Sequence, residues 1–140
     1  MREDGYMDFS LDERLSNSTI ELANWQLSKV LFKNEVNYAW FLLVPQINNL
    51  SEFTDLKIAD QQQLLEEINR LSKIIQTEFK PDKINIATLG NQVSQLHVHI
   101  VGRFKTDPLW PESIWQKNYV NQAYTSSSFD DLLTKLKKLF

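Results

Sequence analysis

Hydrophobic and polar positions divide the chain into alternating, continuously apolar and helical stretches. Residues 27–32 (LSKVLF) alternate for most of their length, and residues 38–44 (YAWFLLV) are apolar on both faces. The polar connector 33–37 is short, so the pair predicts an antiparallel hairpin, ended by Pro45, which cannot donate to a ladder. The period then changes. Leu64, Ile68, Leu71, Ile75 and Phe79 recur at spacings of three and four, which predicts one long amphipathic helix. Glu66, Glu67, Arg70 and Lys73 fall mostly on its wet side, Asp55 or Asp60 suits its N-terminal end, and Pro81 stops it. Residues 83–89 (KINIATL) predict a third strand, Gly90-Asn91 a turn, and residues 96–102 (LHVHIVG) a fourth strand.

The flanks are less regular. Residues 11–24 read as a helical turn or two leading into an extended stretch. After Pro108 the chain is irregular and aromatic, with Trp110, Pro111, Trp115 and Tyr119. Residues 129–140 form a short amphipathic helix, with Leu132, Leu133, Leu136, Leu139 and Phe140 inward and Lys135, Lys137 and Lys138 outward. Ser126–Ser128 are its expected cap. Hairpins arranged around a helix imply an antiparallel α+β domain rather than a doubly wound parallel sheet.

Composition narrows the function. The 140 residues suit a single domain, 1–140, with no repeat or long linker. A net charge of −3 offers no basic face for long nucleic acids, although a few aimed donors suffice for one phosphate. The absence of cysteine excludes disulfides, thiolate nucleophiles and cysteine metal sites. The N-terminus has no apolar signal region, and the longest apolar run, 39–45, is too short to span a bilayer, so a cytoplasmic location with no membrane partner is expected. Residues before Met7 are expected to be a loose extension.

The only two histidines sit in Leu96-His97-Val98-His99-Ile100. On a strand, residues two apart point the same way, so His97 and His99 share a face with Gln95, Val101 and Arg103, while Leu96, Val98 and Ile100 form the core face. Three readings of the pair are open. Both imidazoles are buried, satisfied side chains; or they chelate a metal, for which further ligands are lacking, with no carboxylate nearby before Asp107; or His97 attacks phosphorus while His99, Gln95 and turn amides hold the phosphate.

The run Gly90-Asn91-Gln92-Val93-Ser94-Gln95-Leu96-His97-Val98-His99-Ile100 resembles the signature of the histidine triad (HIT) family, in which three histidines alternate with apolar residues after a Gly-Gln-Ser/Thr-Val stretch. The likeness extends to the hairpin LFKNEVNYAWFLLVPQ and covers about residues 25–104, leaving 105–140 as a C-terminal aromatic segment and helix. It implies an antiparallel meander sheet with one long helix, usually assembled as a homodimer, acting at the α-phosphorus of a nucleotide without a cofactor. His97 matches the histidine that forms a nucleotidyl-histidine intermediate, and His99 the third histidine, which contacts a phosphate oxygen. Asn85 lies close to a family asparagine near the phosphate, and Asn34 falls where many members bind the ribose with an aspartate.

Three departures bear on catalysis. Gln95 replaces the first histidine, as in a bacterial-type branch, and an amide cannot relay protons; Asn91 replaces a glutamine; Gln92 replaces the Ser/Thr that assists the leaving group. Slow turnover or a shifted substrate is therefore expected. Dinucleoside polyphosphates and nucleoside phosphoramidates are the candidate substrates, with a nucleotide-binding module of little turnover and a metal-dependent hydrolase as the alternatives. Arg103 is either a phosphate clamp or a surface charge paired with Asp107. Trp110 and Trp115 are either a lid over a base or packing against the sheet or a dimer mate, and one of Trp40 and Phe41 faces the core.

Overall fold

In a computed structural model, residues 8–140 are described; the expected loose extension before Met7 lies outside them. Five antiparallel strands form one sheet: β1 (Thr19–Asn24), β2 (Ser28–Lys33), β3 (Ala39–Pro45), β4 (Lys83–Ala87) and β5 (Val98–Arg103). Their spatial order is β1-β2-β3-β5-β4. Every residue of β3 and β5 is buried, whereas no residue of β1 or β4 is fully buried and both strands expose several positions. The continuously apolar strand therefore takes the centre, and the mixed strands take the edges.

Helices flank the sheet: α1 (Glu13–Ser16), α2 (Ile58–Phe79) and α3 (Ser126–Lys137). The α2 stripe Leu64, Leu71 and Ile75 is fully buried against Phe41, Leu43, Val98 and Ile100, and α3 adds Leu136. Each such side chain contributes roughly 1.5–3 kcal/mol through burial. Gly102 sits at the contact: a Cβ there would lie 3.0 Å from Ala39 Cβ and 3.1 Å from Ile75 Cγ2. The helix begins at Ile58 with Asp60 in its first turn, while Asp55 instead accepts from the Glu52 N–H in a separate 3-10 turn, Phe53–Asp55. It ends on Lys80, whose left-handed conformation (φ 51°) directly precedes Pro81.

Three sequence expectations need correction here. The C-terminal helix, expected over 129–140, spans Ser126–Lys137, so Leu139, expected inward, lies beyond its end and is exposed. Glu67, expected in water, is buried, and its Oε2 accepts from the Leu27 N–H at 2.8 Å. Position 67 lies three after Leu64 and four before Leu71, within the core stripe, so its carboxylate meets a backbone donor at the entry to β2. The cap of α3 is Thr125, whose Oγ1 accepts from the Ser128 N–H, rather than Ser126–Ser128.

The opposite face of the sheet carries a second core: Leu31, Tyr38, Trp40, Leu42, Val44 and Val101, closed by Leu15 of α1 and by Ile114. The segment after β5 returns to the β2–β3 turn, where Tyr119 Oη and the Gln122 N–H both donate to Glu35 Oε1, and the Gln122 carbonyl accepts from the Val36 N–H. Among the described residues, no helix is long and apolar enough to cross a membrane.

Candidate active site

Alternation along β5 sends Val98 and Ile100 into the helix-side core and leaves His99 on the opposite face. His97 sits just before the strand, at the end of an irregular loop that follows Ala87 and turns at Gly90. Gly90 has φ +71°, a conformation that glycine adopts without strain. The Leu96 N–H donates to the Leu50 carbonyl at 2.9 Å and pins the loop beside His97. Both imidazoles are buried, at 6% and 7% exposure.

Hydrogen bonds assign both rings. His97 Nδ1 lies 2.7 Å from the Gln95 carbonyl oxygen. A carbonyl only accepts, so Nδ1 carries a proton, and in the neutral ring Nε2 keeps the lone pair. The Trp40 indole N–H donates to His99 Nδ1 at 3.0 Å. That nitrogen must be bare, which puts the His99 proton on Nε2. Burial, then the neighbouring His97 and Lys33, pushes the His99 pKa down to about 3, so the ring is neutral. The two rings lie 4.9 Å apart between centroids at 73°. One presents a lone pair and the other an N–H donor, a pairing suited to attack on phosphorus with support for a phosphate oxygen.

The histidines open onto a cavity of about 600 Å³. Asn91 and Gln92, read from the sequence as substrate-binding residues, line it, and so do Arg14, Lys33, Trp40 and Trp115. Trp115 packs edge-on to His99, with ring centroids 5.2 Å apart, so it is a wall of the cavity rather than packing alone. Lys33 Nζ lies 4.3 Å from the Trp40 ring centroid, and burial lowers its pKa. Arg14 pairs with Asp12 at 3.0 Å and donates to the Gln92 carbonyl. Lys33 and Arg14 escaped sequence reasoning. Lys33 falls in the stretch read as polar connector, although it closes β2; Arg14 arrives from a remote segment with no local signal.

Four expected site side chains are engaged elsewhere. The Gln95 amide turns to the N-terminal segment, with Oε1 accepting from the Asp12 N–H and Nε2 donating to the Ser10 carbonyl; only its backbone carbonyl serves His97. Arg103 makes a two-pronged pair with Asp107 (2.8 and 3.0 Å) and donates to Asn85 Oδ1 at 3.1 Å. That pair is buried, not a surface bridge and not a phosphate clamp, and it consumes the Asn85 acceptor as well. Burial would raise the Asp107 pKa, but Arg103 and backbone N–H groups hold it below the usual carboxylate range. Asn34 Oδ1 accepts from the Tyr124 N–H, so Asn34 ties down the C-terminal segment instead of lining the cavity. Among the described residues, no three His, Asp or Glu side chains converge as metal ligands.

The architecture has close counterparts. A histidine triad protein from Bradyrhizobium japonicum is 39% identical, with a TM-score of 0.87 over 93% of this chain and 96% of its own. One from Marinobacter aquaeolei VT8 is 37% identical, with a TM-score of 0.87 over 94% and 95%. One from Sinorhizobium meliloti 1021 is 30% identical, with a TM-score of 0.89 over 97% and 100%. Among curated proteins none matches the chain. The HIT domain model matches residues 18–106, a span that holds the whole sheet, α2 and both histidines, and the chain therefore belongs to the HIT domain family.

Proposed function

We propose that this single-domain, cytoplasmic HIT protein is a nucleotide hydrolase or nucleotidyl transferase that uses His97 as its nucleophile. Family membership supports the general class, nucleotide binding with hydrolysis or transfer. The observation that carries the finer reading is the hydrogen bond from His97 Nδ1 to the Gln95 carbonyl, which leaves Nε2 as the basic nitrogen. In this mechanism His97 Nε2 forms a bond to the α-phosphorus. The bond from phosphorus to the leaving group breaks, and the leaving group departs with its electron pair and takes a proton from bulk water, which the attacking water of the second step returns. Water or another acceptor then attacks the nucleotidyl-histidine, releases the nucleotide and restores His97. His99 Nε2–H donates to a phosphate oxygen as negative charge builds, with Asn91 and Gln92 as further donors. Gln95 takes the place of the first triad histidine and acts through its main chain.

The test is release of AMP from diadenosine tetraphosphate and from an adenosine phosphoramidate, with His97→Asn as the control. Release by the wild type alone, with a nucleotidylated His97 trapped on quenching, supports the mechanism; a fully active variant refutes it. A binding module with little turnover is the second reading, favoured by the commitment of the Gln95 side chain to Ser10 and Asp12, which leaves no proton relay there. Nucleotide binding without product would select it. We further propose a homodimer, supported by the open edge of β4 and by exposed Ile86 on β4 and Ile58 and Leu65 on α2; sedimentation equilibrium at the monomer mass would refute it.

A further inference from the structure

We propose that Lys33 forms a second phosphate subsite, so that the substrate carries a phosphate chain rather than a single phosphoryl group. The proposal rests on the assignment of the α-phosphorus to His97. Four side chains follow one another across the site face. His97 packs on His99 (4.9 Å between ring centroids), His99 accepts from the Trp40 indole N–H (3.0 Å), and the Trp40 ring carries Lys33 Nζ (4.3 Å from its centroid). Lys33 is thus at one end of the row and the nucleophile at the other. Both ends line the same cavity.

The charges along that cavity are lopsided. Its described lining includes Arg14 and Lys33 but no aspartate or glutamate. Arg14 is already compensated by Asp12. Among the described residues no carboxylate forms an ion pair with Lys33; Glu35 favours its charge only through space, against the larger effect of burial, while its oxygens accept from Tyr119, Gln122 and Asn37. An ammonium has three donors, and the indole face engages one side of it. The remaining donors lie in a half-dry cavity, where an anion gains most from meeting a cation. A ribose diol is commonly bound by a carboxylate acceptor, which this cavity lining does not offer. A phosphate next to the one attacked answers the lysine, whereas the amine leaving group of a phosphoramidate does not.

Titration calorimetry at low salt and without divalent metal tests the subsite independently of turnover, with AMP, ADP and adenosine 3′,5′-bisphosphate as probes. ADP is expected to bind about tenfold or more tighter than AMP, the scale of one hydrogen bond to a charged group. In Lys33→Met that advantage is expected to fall to within about twofold. Equal affinity of AMP and ADP in the wild type overturns the subsite without recourse to any variant. An advantage that survives in a folded Lys33→Met protein, checked by circular dichroism, also overturns it, as does a gain for the 3′,5′-bisphosphate with none for ADP. A preference for ADP in protein that releases no AMP from any substrate leaves the subsite standing and removes the hydrolase reading. Turnover without the preference does the reverse, and failure of all three probes to bind overturns both.

Discussion

Acid should unfold this protein through His99, and the size of the effect follows from its surroundings. In the folded chain the ring is buried and its Nδ1 accepts from the Trp40 N–H, so a proton on that nitrogen meets another proton. Burial, His97 and Lys33 bring its pKa to about 3 from an ordinary 6.5. Between those limits the unfolded chain binds a proton that the folded chain refuses. Stability therefore falls as pH falls, beginning near 6.5 and levelling off near 3. The unfolding constant should rise roughly tenfold per pH unit in that window, on the order of 3 kcal/mol lost by about pH 4.5. Urea denaturation of the wild type and of His99→Gln across this range isolates the contribution. The glutamine amide accepts from Trp40 but does not titrate, and carboxylates common to both proteins cancel in the difference. The wild type should lose stability faster than the variant on acidification. Parallel curves between about pH 7 and pH 5 would refute the assignment of a neutral, proton-refusing His99.

Further tests probe the supports of the site. Trp40→Phe removes the donor to His99 Nδ1 and should cost about 1–3 kcal/mol in stability. It should also mix the His99 tautomers, seen in 15N shifts, and slow turnover by up to about a hundredfold; an unchanged Nε2–H tautomer would count against Trp40 as the orienting group. Asp107→Ala strands the buried Arg103 and should destabilise the fold by about 3–5 kcal/mol on denaturation. In folded Asp107→Ala protein at low temperature, AMP affinity should stay within about threefold of wild type, because neither partner lines the cavity. Gln95→Ala removes both links to the N-terminal segment and should speed hydrogen exchange at the Asp12 amide, while the His97 15N pattern stays as in the wild type because the residue 95 carbonyl remains.

The residues that the sequence made legible are those with local causes. Continuous apolarity over 38–44 marks the central strand, the three-and-four spacing marks α2, and two histidines spaced by two mark the candidate site. Periodicity determines which face a side chain joins, and composition determines which chemistry is available. Neither determines which partner a polar group meets. Arg103 has the right parity for the histidine face, yet Asp107, four residues on, claims its guanidinium and with it Asn85. Gln95 has the right register, yet its amide is taken by backbone groups of Ser10 and Asp12, some 80 residues away in sequence. Asn34 belongs to Tyr124 for the same reason.

The cavity itself is a tertiary product. Its cations and walls come from α1, from the end of β2, from β3 and from the segment after β5, brought together because the second face of the sheet had to be covered. Pairing of buried polar groups is decided by proximity in space, and a buried donor or acceptor takes whichever partner the packing delivers. The sequence by itself determined four of the five strands, the long helix and the histidine pair. Only the folded chain decided that Trp40 orients His99, that Lys33 enters the cavity and that Arg103 does not.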